Sequence, residues 1–137
     1  MKSQFIAAFT SYHRANGAAH LAHWNITGML FFQFHGLFER VYTTLDDQED
    51  GFAEQARGSG IEIPASVFNS VPELDWETPK DLISKILRLI TEYKSDLEDL
   101  HSICSSKKNL GFVNLIEGFM TDINTLQFLL KATLDEL

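Results

Sequence analysis

Cysteine, proline and basic charge are all scarce in this chain of 137 residues. The single cysteine, Cys104, excludes an internal disulfide and suits a reducing cytosol. Its place on an apolar helical stripe marks it as a small buried residue. A net charge of −8 argues against nonspecific affinity of the folded surface for nucleic acid. Only Lys2 and Arg14 are cationic before Arg40, so no basic arm is expected. No apolar run approaches the roughly 18 residues needed to cross a membrane. Phe5 to Phe9 is too short for the apolar core of a secretion signal, and a cytoplasmic location is expected. Alternation with period two is missing as well, which leaves sheet structure without support.

What remains is helical periodicity throughout one domain, residues 1–137, with 45% hydrophobic residues and enough length for a real core. A first helix is expected from Ser3, as N-cap, to about Asn25, with Gly28 just past its end. A second runs from about Met29 to Arg57 and stops at Gly58-Ser59-Gly60. Residues 61–77 hold Pro64 and Pro72 together with Val67, Phe68, Val71, Leu74 and Trp76. They read as a crossover lying on the bundle, with a short helix near 65–70. Thr78-Pro79-Lys80-Asp81 is a strong helix start, with a cap, a proline and an acid in order. The third helix then carries Ile83, Ile86, Ile90, Tyr93, Leu97, Leu100 and Cys104 at bundle spacing. After a turn at Ser105–Asn109, a fourth turns Phe112, Ile116, Phe119, Ile123 and Leu130 inward. The fold class is therefore all-α, a four-helix bundle with one long crossover between the second and third helices.

Four residues of the second helix stand apart: His35, Glu39, Asp50 and Glu54. They share a stripe roughly 100° wide, yet Glu39 and Asp50 are separated by about 16 Å along the axis. Metal–ligand bonds are only about 2 Å, so one chain cannot close both pairs on one ion. His35 and Glu54 have the same midpoint as Glu39 and Asp50, between Thr44 and Leu45. Two copies of the helix crossing antiparallel there would set His35 and Glu39 of one against Glu54 and Asp50 of the other, as a two-fold axis requires. The stripe lies about 130° from the helix's own apolar face of Phe31, Phe34, Phe38, Val41, Leu45, Phe52 and Ala56. It faces away from the core. A di-iron site inside the bundle would need two Glu-x-x-His pairs, and only Glu98-Asp99-Leu100-His101 has that spacing. A metal site completed by a second subunit is the better reading.

Upstream stands His23-Trp24-Asn25-Ile26-Thr27-Gly28, followed by Phe31, Phe34, His35 and Phe38, with Tyr42, Asp50, Ala53, Glu54 and Gly60 beyond. This stretch resembles the Dps family, the DNA-binding proteins from starved cells, also called miniferritins. The resemblance implies a ferritin-like fold and a homododecameric shell. It implies a ferroxidase centre at the dimer interface, with His23, His35 and Glu39 from one subunit and Asp50 and Glu54 from its two-fold mate. By the same resemblance the protein oxidises Fe(II), with hydrogen peroxide or oxygen, stores ferric mineral and protects against oxidative damage. Trp24 becomes an oxidisable ring beside the irons. Carboxylates and imidazoles together suit Fe(II). Zinc or another divalent metal held without turnover is an alternative occupant. His20 is a candidate support for His23, while His13 and His101 are expected at the surface or an interface, and Tyr42 in dimer contacts.

The chain departs from the family in three places. Glu39 replaces a usual aspartate and is one methylene longer. The Lys/Arg-rich tail that many members use to hold DNA is missing, which weakens the alternative reading as a DNA-coating nucleoid protein. Lys107, Lys108, Asn109, Gly111 and Asn114 stand where acids usually line an iron pore, leaving Glu117 or Asp122 as other acids on that route.

Overall fold

The apolar ladders fold into four long helices in a computed structural model that describes residues 1–74, 78–135 and 137. They are α1 (Lys2–Asn25), α2 (Phe31–Gly58), α3 (Pro79–Ser106) and α4 (Leu110–Leu134), with a 3-10 turn at Ala65–Phe68 in the crossover. Among the described residues there is no strand, and no helix is long and apolar enough to cross a membrane. Trp76, expected on the bundle, lies outside the described residues.

Local chemistry sets the ends. Thr78 caps α3 as its sequence requires: its hydroxyl accepts the Asp81 N–H at 3.0 Å, and Pro79 opens the helix. Ser3 does not cap α1. The helix starts two residues earlier, behind Met1, and the Ser3 hydroxyl turns to Gln4 Oε1. Gly60, at φ +85°, turns the chain out of α2 and lets Ile61 N–H reach back to the Ala56 carbonyl at 2.9 Å.

Each helix packs on two others. α1 lies against α2 and α3, and α4 against α3 and α2, so α1 and α4 face each other across the diagonal. The α1–α2 turn, the start of α3 and Leu137 line one cavity at the same end of the bundle. The crossover therefore returns the full length of the molecule, and α2 and α3 run parallel. Every third- and fourth-helix position expected inside is buried, Cys104 among them. Phe52 of α2 sits at the centre, with ring centroids 5.1 Å from Phe5, 5.3 Å from Phe9, 6.0 Å from Phe112 and 5.5 Å from Phe119. It ties three helices together.

A polar thread crosses this core, and the sequence reading missed it. Gln48 is buried at the one step of the α2 ladder (Phe34, Phe38, Val41, Leu45, Gln48, Phe52, Ala56) that is not apolar. The Tyr93 hydroxyl donates to Gln48 Oε1 at 2.9 Å, and the Tyr12 hydroxyl donates to the Leu45 carbonyl. The ladder's regular 4-and-3 spacing was the signal that placed Gln48 inside. Among the described residues no carboxylate is buried: Glu98 is exposed, and His101 pairs at the surface with Glu117 at 3.5 Å.

Replacing Phe52 with alanine removes the ring that joins α1, α2 and α4. Stability should fall by about 3–5 kcal/mol, read as a lower denaturant midpoint at unchanged slope. Burial holds the Tyr12 and Tyr93 phenols above their ordinary value of 10.0, with the acids Glu49 and Asp46 adding to the effect on Tyr12 and Tyr12 itself to that on Tyr93. A phenol raised in the folded state stabilises it below the unfolded value and loses that contribution as pH rises through it. Unfolding free energy should therefore drop above about pH 10, while tyrosinate absorbance stays below that of the denatured chain.

Candidate metal centre

α1 ends at Asn25 and α2 begins at Phe31, with the turn between them swung round by Gly28 at φ +111°, a conformation only glycine adopts freely. Ending a helix leaves its last carbonyls without intrahelical donors. The Ala22 carbonyl is taken by Ile26 N–H at 3.0 Å. The next, that of His23, accepts His35 Nδ1–H at 2.7 Å, and the His35 carbonyl accepts His23 Nδ1–H at 2.8 Å. A carbonyl can only accept, so both Nδ1 atoms must carry the proton. Each neutral ring then has its lone pair on Nε2, the tautomer a metal needs.

The two imidazoles stack, with centroids 3.6 Å apart and planes 18° off parallel. Phe31 covers the His35 ring at 4.7 Å, and Tyr42 meets the His23 ring edge-on at 5.1 Å. His23 is buried, 8% exposed, and His35 half-buried. The two histidines that the sequence reading assigned to one subunit thus lie together; the reciprocal hydrogen bonds were beyond it, because they use backbone carbonyls that no side-chain pattern encodes.

The carboxylates stand elsewhere. Glu39, Asp50 and Glu54 are exposed along the outward face of α2, opposite the buried ladder, as the stripe required. Asp50 lies in an acidic run: partial burial, with Asp46 and Asp50 close by, pushes the Glu49 carboxyl up, against a smaller opposing pull from His20. Among the described residues no three histidine, cysteine, aspartate or glutamate side chains converge as a metal site within the chain. The structure brings together His23 and His35 and leaves the three acids facing outward.

Beside the pair runs a second network. His20 stacks on Tyr42 at 4.0 Å and places Nε2 3.6 Å from Asp46 Oδ1, which also accepts Asn16 Nδ2–H at 2.9 Å. Partial burial, then Glu39 and Asp46, push the Tyr42 phenol up. Trp24 is 66% exposed, and the histidine it tilts over is His20, at 5.5 Å. His13, expected at the surface or an interface, is buried at 8% exposure among aromatic rings on the far stretch of α1.

Comparison with known proteins agrees with this architecture. The model of the ferritin-like domain matches residues 8–137. Antigen TpF1 of Treponema pallidum (strain Nichols) is 29% identical over 109 residues, covering 76% of this chain and 60% of its own length. The chain thus spans about three fifths of that relative's length. The X-ray structure of Dps from Thermosynechococcus elongatus superposes with TM-score 0.81 at 19% identity, over 97% of this chain and 91% of that one. A ferritin-like diiron-carboxylate protein from Bacillus anthracis superposes with TM-score 0.84 at 12% identity, over 96% and 93%. The chain belongs to the ferritin-like family, and its fold is that of the Dps proteins.

Proposed function

We propose that this protein is a Dps-type miniferritin that oxidises Fe(II), with hydrogen peroxide as the favoured oxidant and oxygen as the other, and stores the ferric product inside a homododecameric shell in the cytoplasm. Iron is the substrate. His23, His35 and Glu39 of one subunit hold it together with Asp50 and Glu54 of the partner subunit. The observation that carries the reading is the reciprocal His23–His35 pair, which engages both Nδ1 atoms and leaves Nε2 of each ring for a metal, on a chain whose Glu39, Asp50 and Glu54 face outward. Imidazole and carboxylate together are a donor set suited to Fe(II). Two such irons supply one electron each to peroxide. Its O–O bond breaks, two protons are taken up and two waters form, so no hydroxyl radical need leave the site. Trp24, close to the pair along α1, is the reserve donor when only one iron is present. DNA has no part in this reading, because a net charge of −8 repels phosphate.

The half-site design has a direct test. His35→Ala and Asp50→Ala subunits are each inactive alone, but a mixed dimer holds one intact site. Equal mixing under subunit exchange should restore about a quarter of the sites, read as peroxide-driven Fe(II) oxidation. Demonstrated mixed dimers with no activity would refute the shared site.

The two glutamates should differ. Glu54 sits one turn from Asp50 and faces both histidines of the partner subunit, where it can bridge two irons; Glu39 serves the more hydrated second position. Glu54→Gln should slow the initial oxidation rate by at least about tenfold, in the range for loss of a metal-site group, with Glu39→Gln clearly milder. Iron stoichiometry per dimer, with the assembly state checked, measures both.

A further inference from the structure

Three ties hold the crossover against α1. Arg14 Nη1 donates to the Ser70 carbonyl at 3.2 Å. Gly17 presents bare backbone to Val71: a Cβ there would lie 2.5 Å from Val71 Cγ2. The third tie is the buried His13 ring, 4.3 Å from Phe68 of the 3-10 turn, 4.6 Å from Phe9 and 4.9 Å from Tyr12. Its Nε2 is buried and has no hydrogen-bond partner among the described residues. Of the three, only the imidazole changes charge near neutral pH.

We propose that His13 is an acid-sensitive clasp: neutral, it docks Phe68 and with it the crossover onto α1; protonated, it releases them. A neutral imidazole packs as an apolar ring, tilted against Phe68 and edge-on with Phe9 and Tyr12, and tolerates an unpartnered acceptor. The protonated ring carries a charge and a second N–H with no acceptor in reach among the described residues, and the edge-on ring of Phe9 and the tilted ring of Phe68 return only part of the lost hydration. The charged groups around it do not rescue it. On α1, the Tyr12 hydroxyl is committed to the Leu45 carbonyl, and Arg14 is a cation held by Ser70 and by Glu92 of α3 at 4.0 Å. From the crossover, Phe68 brings no charge. The α2 acids Asp46, Glu49 and Asp50 act on Tyr12; burial alone acts on His13 and pushes its titration below the ordinary value of 6.5. A histidine depressed in the closed state stabilises that state above the unfolded value, and closure weakens as pH falls through about 6.5.

Two measurements on the full-length protein in its native assembly decide this. Histidine C2–H/D exchange read by mass spectrometry should place His13 below 6.5 and return it towards that value in Phe68→Ala, which opens the ring to water. A wild-type value at or above 6.5 overturns the proposal, as does no change in Phe68→Ala. Amide protection of residues 66–71 should fall about tenfold for each pH unit below about 6.5, one proton per opening. His13→Phe keeps the aromatic contact and should abolish that fall. Equal loss in both proteins, or none in the wild type, overturns the clasp. Because the first measurement needs only the wild type and Phe68→Ala, a poorly folded His13→Phe would not spare the proposal.

Discussion

The buried face of α2 governs everything else in this molecule. Phe34, Phe38, Val41, Leu45, Phe52 and Ala56 must all leave water, each large side chain contributing about 1.5–3 kcal/mol. Phe52 must meet Phe5, Phe9, Phe112 and Phe119 at once. Turning the helix by a single residue would rotate it by about 100° and eject that whole row. The orientation is therefore fixed by the core, and the core in turn fixes what points outward. Glu39, Asp50 and Glu54 face outward because Phe38, Phe52 and Ala56 cannot.

The same constraint reaches the histidines. With α1 and α2 locked side by side, the last turn of α1 is held against the first turns of α2, and the orphan carbonyl of His23 finds a donor in His35. The return bond from His23 closes the pair. Neither ring can tautomerise without losing its hydrogen bond to a part-buried carbonyl, a loss that costs of order 1 kcal/mol. A helix end that would otherwise need water thus becomes the device that holds two Nε2 lone pairs available.

Much of this was legible in the sequence, for an identifiable reason. Helical period, caps such as Thr78 and the stripe on α2 are each written in single positions along one helix. The features that were not legible depend on partners distant in sequence. The ladder spacing marks Gln48 as an inside position, but not what satisfies its amide there: the hydroxyl comes from Tyr93, 45 positions away. His13 reads as a surface imidazole until the crossover lays Phe68 across it. Ser3 offered good capping chemistry, but capping needs the helix to begin just after it, and α1 starts two residues too early.

The neutral core and the acidic outer face belong to one electrostatic argument. Carboxylates inside the bundle would need metal or cations at all times, because an isolated buried charge is far costlier than a hydrogen-bonded amide and phenol. Here Gln48, Tyr93 and Tyr12 fill the bundle centre without charge, so this polar thread needs no counter-ion. The acids stay at the surface, where water screens them, although partial burial, and after it the neighbouring Asp46 and Asp50, push the Glu49 carboxyl up. Bringing two such faces together would concentrate negative charge across a two-fold axis, and a divalent cation is the simplest counterweight. On the shared-site reading, assembly and metal capture thus reinforce each other: the interface raises affinity for the ion, and the ion relieves the repulsion that the interface creates.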